Sequence, residues 1–360
     1  MDIEIKPFNY NTELSKQREL FRLCFSETTG SSVETSNHYF WKFHDFPTDE
    51  SKSYEYAAYC DDVLIGYYAA LPFRYYINNE IKMCGMVCDV MTHPQMQGKG
   101  IFTKIGLYST NKLKECGVDF TIGYPIRPEV IPGHLKVGWK IAFILPMYIS
   151  LIKVNSLISN SRLYFLAPIL NIFVKIYNSS LSFFNRAKRN YSHEILDIND
   201  FIKLQDYNFF YEKWRQSVKN VLIKDLDFIR WRTNAPDCNY KYIVIRHEEQ
   251  IIAISIVRYT KIKNIPCLAI LDLMILNGYY DSIPVINTIY QQLSRLNGIE
   301  AIVVMLSRFW AKKYRLLRMG YIKSPHVFKI IIKKLNDNLR DFDLYNEMNW
   351  HLMWIDSDDL

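Results

Sequence analysis

The strongest constraint in this 360-residue chain is an internal repeat, in which two stretches place the same kinds of residue in the same order. The first runs FWKFHDFP (Phe40–Pro47), YEYAAYC (Tyr54–Cys60), the acidic pair Asp61-Asp62, VLIGYYAALPF (Val63–Phe73) and MCGMVCDVMTHP (Met83–Pro94). The second runs IRWRTNAP (Ile229–Pro236), YKYIVIR (Tyr240–Arg246), Glu248-Glu249, IIAISIVRY (Ile251–Tyr259) and CLAILDLMIL (Cys267–Leu276). Two runs rich in β-branched and aromatic residues, separated by a few polar ones, read as a hairpin in each half. A helical stretch follows (100–116 and 283–296), closed by Gly117 or Gly298, where a left-handed cap is expected. Next come a short apolar strand (118–124 and 299–306), a helical segment ending in Gly138-Trp139 or Gly320-Tyr321, and a final apolar run. Strand, helix and strand joined this way imply a parallel pair inside an otherwise antiparallel sheet. The fold class expected is therefore α+β, with two tandem domains, each a mixed, mostly antiparallel sheet flanked by helices. Residues 1–150 form the first domain, 151–195 a helical connector and 196–360 the second.

Hydrophobic residues make up 49% of the chain and charged ones 22%, which excludes a disordered protein. The net charge of +7 is spread along the sequence without the basic run of a nucleic-acid tail, so no nucleic-acid partner is expected. The seven cysteines (24, 60, 84, 88, 116, 238 and 267) are scattered and contain no C-x-x-C pair. They read as reduced thiols and predict no metal site. Residues 1–10 carry neither a basic nor an apolar leader region, making a cytoplasmic location the expectation. One segment raises the question of a membrane: LYFLAPILNIFVKIY (Leu163–Tyr177) is strongly apolar, yet short and interrupted by Pro168, Asn171 and Lys175. It reads first as a packing or linker helix, and second as a segment that touches a membrane surface.

Chemistry concentrates in DVMTHPQMQGKGIFTK (Asp89–Lys104). An apolar strand ends at Pro94, which cannot donate a ladder hydrogen bond, and the chain enters a helix through Gln97, Gly98, Lys99 and Gly100. Such a turn is an anion site, because the first N–H groups of the helix point outward together and glycines admit a ligand close to the backbone. Lys99 and Lys104 add charge, and Thr103 a hydroxyl. The third glycine of a dinucleotide fold and the Gly-Lys-Ser/Thr of a phosphate loop are both missing.

The run from Thr92 through Gln97, Gly98, Lys99 and Gly100 to Ile101 resembles the acetyl-CoA signature of the GNAT acetyltransferase superfamily, in which Gln or Arg, two residues, Gly, one residue, then Gly or Ala follow the fourth strand. Gln97 and Gly100 match. Phe102 departs from the last position, as in the Gly-Ile-Phe-Thr variants of larger bacterial members. The resemblance covers residues 1 to about 150, including Trp41 and PGHLKVGW (Pro132–Trp139); the second half shares the order but has no Gly-x-Gly at Asn277–Tyr280. In layout the chain resembles tandem bacterial members such as the enhanced-intracellular-survival aminoglycoside acetyltransferases. The resemblance implies acetyl-CoA as cosubstrate. Val90, Met91 and Thr92 would pair through their backbone with the pantetheine arm, and Gln97, Gly98, Lys99, Gly100, Ile101, Phe102 and Thr103 would surround the diphosphate. The Met91 N–H would then face the oxyanion.

Direct acyl transfer needs a base for the attacking amine and an acid for the leaving thiolate. His134, in the segment where related enzymes place a tyrosine, is one candidate, since imidazole titrates in the useful range. Tyr124, at the end of the fifth strand, is a second acid. Asp89 recurs as Asp272 in the half that lacks the motif, so its expected role is to satisfy backbone or tryptophan donors, with base catalysis second. His93 reads as structural. Cys84 and Cys88 lack a basic partner in sequence, and Asp356, Asp358, Asp359 and Leu360 enter because related tandem enzymes use their terminal carboxylate. The expected activity is N-acetylation of a small amine, an amino sugar or nucleotide sugar being favoured. The alternatives are an aminoacyl or long-chain acyl transferase of the same fold, or a CoA-binding scaffold without turnover.

Overall fold

The computed structural model describes residues 2–28, 30–47 and 53–358. In chain order the first half contains β1 (Glu4–Pro7), α1 (Tyr10–Cys24), α2 (Ser36–Phe43), β2 (Tyr54–Cys60), β3 (Val63–Ile77), β4 (Glu80–Thr92), α3 (Ile101–Glu115), β5 (Phe120–Gly123), α4 (Ile131–Lys136) and β6 (Lys140–Leu151). After α5 (Asn155–Ile158), α6 (Ala167–Phe184), β7 (Ser192–Leu196), α7 (Ile198–Phe201), α8 (Tyr207–Arg215) and β8 (Asn220–Leu222), the repeat resumes with α9 (Leu226–Thr233). It continues through β9 (Tyr240–His247), β10 (Gln250–Ile262), β11 (Ile265–Ile275), α10 (Ile283–Leu296), β12 (Ala301–Met305), α11 (Arg308–Lys313), β13 (Ile322–Lys334) and α12 (Asp341–Tyr345). Two compact units result, each drawn from three stretches of chain. One comprises 1–143, 220–238 and 329–349, and the other 144–219, 239–328 and 350–360.

In the first unit β1, β2, β3 and β4 form an antiparallel run, β5 pairs parallel with β4, and residues 331–334 of β13 close the order antiparallel to β5. Both hairpin turns use residues that tolerate left-handed backbone: Asp61-Asp62 at φ 49° and 62°, and Asn78-Asn79 at φ 51° and 67°. Alternation along β3 sends successive side chains to opposite faces. Tyr68 packs with Ile101, Ile105 and Leu113 of α3, successively one and two turns apart on the buried stripe of that helix, while the hydroxyl of Tyr67 meets residues under α2 on the other face. Trp41 of α2 and Trp231 of α9, corresponding positions of the repeat, stack at 5.3 Å, and each indole N–H donates to the other's carbonyl at 2.7 Å. Here the repeat closes on itself: buried indole N–H groups need acceptors, and each supplies the other's.

The second unit repeats the pattern. β9, β10 and β11 are antiparallel, β12 is parallel to β11, β7 flanks β9, and residues 147–151 of β6 pair with β12. Each unit thus takes its last strand from the other half of the sequence. The helix start equivalent to Gly100 differs: α10 is preceded by the tight turn Tyr280–Ser282, capped by Ser282 in right-handed conformation, and carries Pro284 in its first turn.

Candidate active site at the end of the fourth strand

The ladder between β3 and β4 carries one extra residue on β4, since Tyr67 faces Met91 and Ala69 already faces Cys88. Asp89, at this bulge, has φ 47°, a conformation aspartate accepts better than most residues. Parallel pairing with β5 ends at Met86 and Ile122, before the bulge. Among the described residues β4 has no ladder partner on its β5 side beyond that point, so Val90, Met91 and Thr92 border an opening between the strands. Thr92 carries a second sign of an incomplete site: its Oγ1 is buried with no hydrogen-bond partner among the described residues, while its carbonyl accepts from the Cys24 thiol at 3.4 Å.

After β4 the chain makes one tight turn, Pro94–Met96, in which His93 Nδ1 accepts from the Gln95 N–H at 3.3 Å. Gln97 is extended, Gly98 has φ 75°, and Gly100, at φ 80°, caps α3. A Cβ at Gly98 or Gly100 would meet no atom within 4 Å, so the left-handed turn, and not crowding from the protein, requires glycine there. The first hydrogen bond of α3 runs from the Lys104 N–H to the Gly100 carbonyl. The N–H groups of Ile101, Phe102 and Thr103 therefore have no acceptor within the helix and face the outside of an open glycine turn. Phe102, the departure from the acetyl-CoA signature, turns away from it. Its ring fills the space left by Gly133, where a Cβ would come within 2.7 Å of it, and meets His134 edge-on at 4.9 Å. An unsatisfied hydroxyl, an opened strand pair and a bare helix start on an open turn suit the pantetheine and diphosphate of an acyl-CoA.

The candidate acid and base groups lie in different environments. His134 of α4 is 5% exposed, wedged edge-on between Phe102 and Trp139 at 4.9 and 5.0 Å, and burial lowers its pKa to about 4. The ring is thus neutral at pH 7 and titrates below the range expected from the sequence. Tyr124 is buried directly after β5. Asp89 differs from its sequence reading: instead of backbone or tryptophan donors, Lys42 of α2 holds it, Nζ to Oδ1 at 2.9 Å. Burial pushes its carboxyl up, but Lys42 and Arg18 outweigh that and keep it below the usual range. Burial raises the Cys84 thiol well above its ordinary pKa, which removes it as a nucleophile. Asp356 is buried in the second unit, where it accepts from the Met353 N–H at 2.6 Å; Asp359 and Leu360 lie outside the described residues.

Two groups escaped the sequence reading. Lys42 follows Trp41 as Arg232 follows Trp231, so a basic residue after the tryptophan in both halves was the available signal. Glu55 of β2 accepts from the buried hydroxyls of Tyr39 and Tyr67, and Ser53 donates to its other oxygen at 2.6 Å. No local pattern marks that cluster, because its members come from α2, β2 and β3.

Comparison with known proteins agrees with this geometry. Residues 4–142 match the family model described as an acetyltransferase (GNAT) domain. No curated protein matches the sequence. Among solved structures, the chain is similar to a GCN5-related N-acetyltransferase from Anabaena variabilis (TM-score 0.62, 12% identity, covering 93% of this chain and 73% of that one). It is also similar to a probable N-acyltransferase from Enterococcus faecalis (TM-score 0.65, 13% identity, 95% and 74%). A third similar structure is Saccharomyces cerevisiae N-myristoyltransferase with bound myristoyl-CoA (TM-score 0.59, 9% identity, 98% and 85%). At such identities the structures speak for the fold, while the family model speaks for the domain that carries the opened strand and the glycine turn. Residues 4–142 are thus an acetyltransferase (GNAT) domain, and the chain that carries it is an acyltransferase.

Proposed function

We propose that this chain transfers an acetyl group from acetyl-CoA to the amine of a small acceptor, with an amino sugar or nucleotide sugar the favoured class. The observation that carries the reading is the meeting, at one end of β4, of a bulge that opens the strand pair and a glycine turn that bares the first N–H groups of α3. Residues 1–150 would carry the working site, 151–195 the connector and 196–360 the half of the repeat without a diphosphate turn, in the cytoplasm.

When bound, the thioester supplies an activated acyl carbon. Val90, Met91 and Thr92 would hold the pantetheine through backbone groups, with Thr92 Oγ1 as a further contact. Gln97 to Thr103 would hold the diphosphate, where N–H groups and the helix dipole favour negative charge. The Met91 N–H would stabilise the oxyanion. Tyr124, next to the end of β5, would protonate the leaving thiolate. A neutral His134 would accept a proton more readily than donate one, and Asp89, held ionised by Lys42, would fix the bulge first and take up protons second. No metal enters this scheme.

Calorimetry with acetyl-CoA, joined to a free-thiol assay over a panel of amines and amino sugars, tests the reading. Binding with turnover supports it, whereas binding without turnover on any amine indicates a scaffold. Gly100→Val should abolish acetyl-CoA binding with the fold retained; unchanged affinity in that variant would overturn the site.

A further inference from the structure

Helix α6 is amphipathic with its faces reversed. The side turned to the rest of its unit carries, beside the half-buried Val174 and Leu181, a ridge of asparagines spaced by two turns: Asn171 accepts from the Val154 N–H at 2.9 Å, Asn178 donates to the Leu151 carbonyl at 2.8 Å, and Asn185 donates to the Arg318 carbonyl at 3.0 Å. On the opposite side, Ile169, Ile172, Phe173, Ile176, Phe183 and Phe184 are each between 53% and 80% exposed. Ile169, Ile172, Phe173 and Ile176 recur at three and four residues, and Phe183 and Phe184 resume the same face two turns on, past Ser179 and Ser180. The turn before the helix extends it with Tyr164 and Phe165, at 65% and 64%. A packing helix would show the reverse arrangement, because apolar stripes are driven inward and polar ones outward.

The charge around the stripe identifies what covers it. Between Leu157 and Arg189 the sequence contains five basic residues, Arg162, Lys175, Arg186, Lys188 and Arg189, and no acidic one. All five are exposed; Arg189 meets Asp281 at 3.1 Å, and Arg186 lies over the Phe183 ring at 4.7 Å. A second copy placed on this face would bring like charges together, whereas an anionic lipid surface offers acyl chains to the stripe and headgroups to its flanks. An 18-residue helix is about 27 Å long and can lie flat in such an interface. Among the described residues no helix is long and apolar enough to cross a membrane, so insertion across the bilayer is a separate matter from binding on it.

We infer that the outward face of α6, with the turn before it, docks this protein on the surface of an anionic membrane. The sequence favoured a packing or linker role for this segment; the asparagine ridge fixes the helix to its unit by hydrogen bonds and leaves the apolar residues for another partner.

The test is sedimentation of the intact protein with vesicles of phosphatidylcholine alone and of equal parts phosphatidylcholine and phosphatidylglycerol. Binding to the second, weakened by raised salt, is expected. The double change Phe173→Ser, Ile176→Ser should reduce it more than about tenfold, since each buried apolar side chain contributes about 1.5–3 kcal/mol. Lys188→Gln should reduce it about fivefold, the equivalent of about 1 kcal/mol for one basic group near the surface. Both variants alter outward-facing side chains, so unchanged circular dichroism shows that folding is unaffected. Equal binding to both vesicles, no binding, or affinities untouched by the substitutions would overturn the inference. A concentration-dependent dimer in analytical ultracentrifugation that the double variant dissolves would overturn it too, in favour of an interface between copies.

Discussion

Replacing Lys42 with methionine keeps much of the apolar stem and removes the cation 2.9 Å from Asp89. The two side chains are 6% and 12% exposed, so water cannot take the place of the lost ammonium. At an effective dielectric constant of about 20, charges at this separation attract by about 6 kcal/mol, and part of that is offset because Lys42 no longer has to be desolvated. Buried pairs broken from one side lose about 3–5 kcal/mol, and the positive field of Arg18 remains, so a loss of about 3 kcal/mol is expected at pH 7. The pH dependence of the loss separates this cause from simple packing. In the native protein the Asp89 carboxyl is held below its unfolded value, so its contribution is present above the ordinary carboxylate pKa and disappears as pH falls through the depressed one. Without Lys42, burial is the leading influence and moves the carboxyl upward, so the variant gains relative stability as pH falls and Asp89 takes up a proton. Urea denaturation followed by circular dichroism at pH 7 and pH 5 measures both proteins. A deficit below about 1 kcal/mol at pH 7, or one that grows on acidification, would refute the assignment of Lys42 as the group that holds the bulge.

Gly133→Ala should cost about 1–3 kcal/mol because its Cβ would sit 2.7 Å from the Phe102 ring, and Phe102→Leu in the same chain should restore most of it. Thermal melting of the single and double variants checks this. His134 has a folded pKa of about 4 against about 6.5 when unfolded, so its neutral state stabilises the fold above pH 6.5 and that stability is lost as pH falls toward 4, by up to about 3 kcal/mol. In His134→Leu this part of the acid loss should vanish in melting curves between pH 7 and 4, and turnover of the same variant reports whether the ring also moves a proton.

Much of the first unit was legible in the sequence because the signals are local. Asp61-Asp62 needs left-handed backbone for a tight hairpin, Gly117 needs it for a cap, and Gly98 and Gly100 need it for the turn into α3, so the residues state the geometry themselves. The bare start of α3 was readable for the same reason. Lys42 was not, because 47 positions separate it from Asp89 and only packing α2 over β4 brings them together. The Glu55 cluster was hidden likewise.

The amino-acid order by itself determined the repeated strand and helix sequence, the two hairpins and the bare start of α3, all set by periodicity and by backbone preferences within a few residues. Tertiary structure decided the rest. It placed α9 and the end of β13 in the first unit, ionised Asp89 and made His134 neutral. It also turned the asparagines of α6 inward and its phenylalanines out. Burial, partner charge and the direction in which a helix faces are properties of neighbours distant in sequence, and no short stretch of chain contains them.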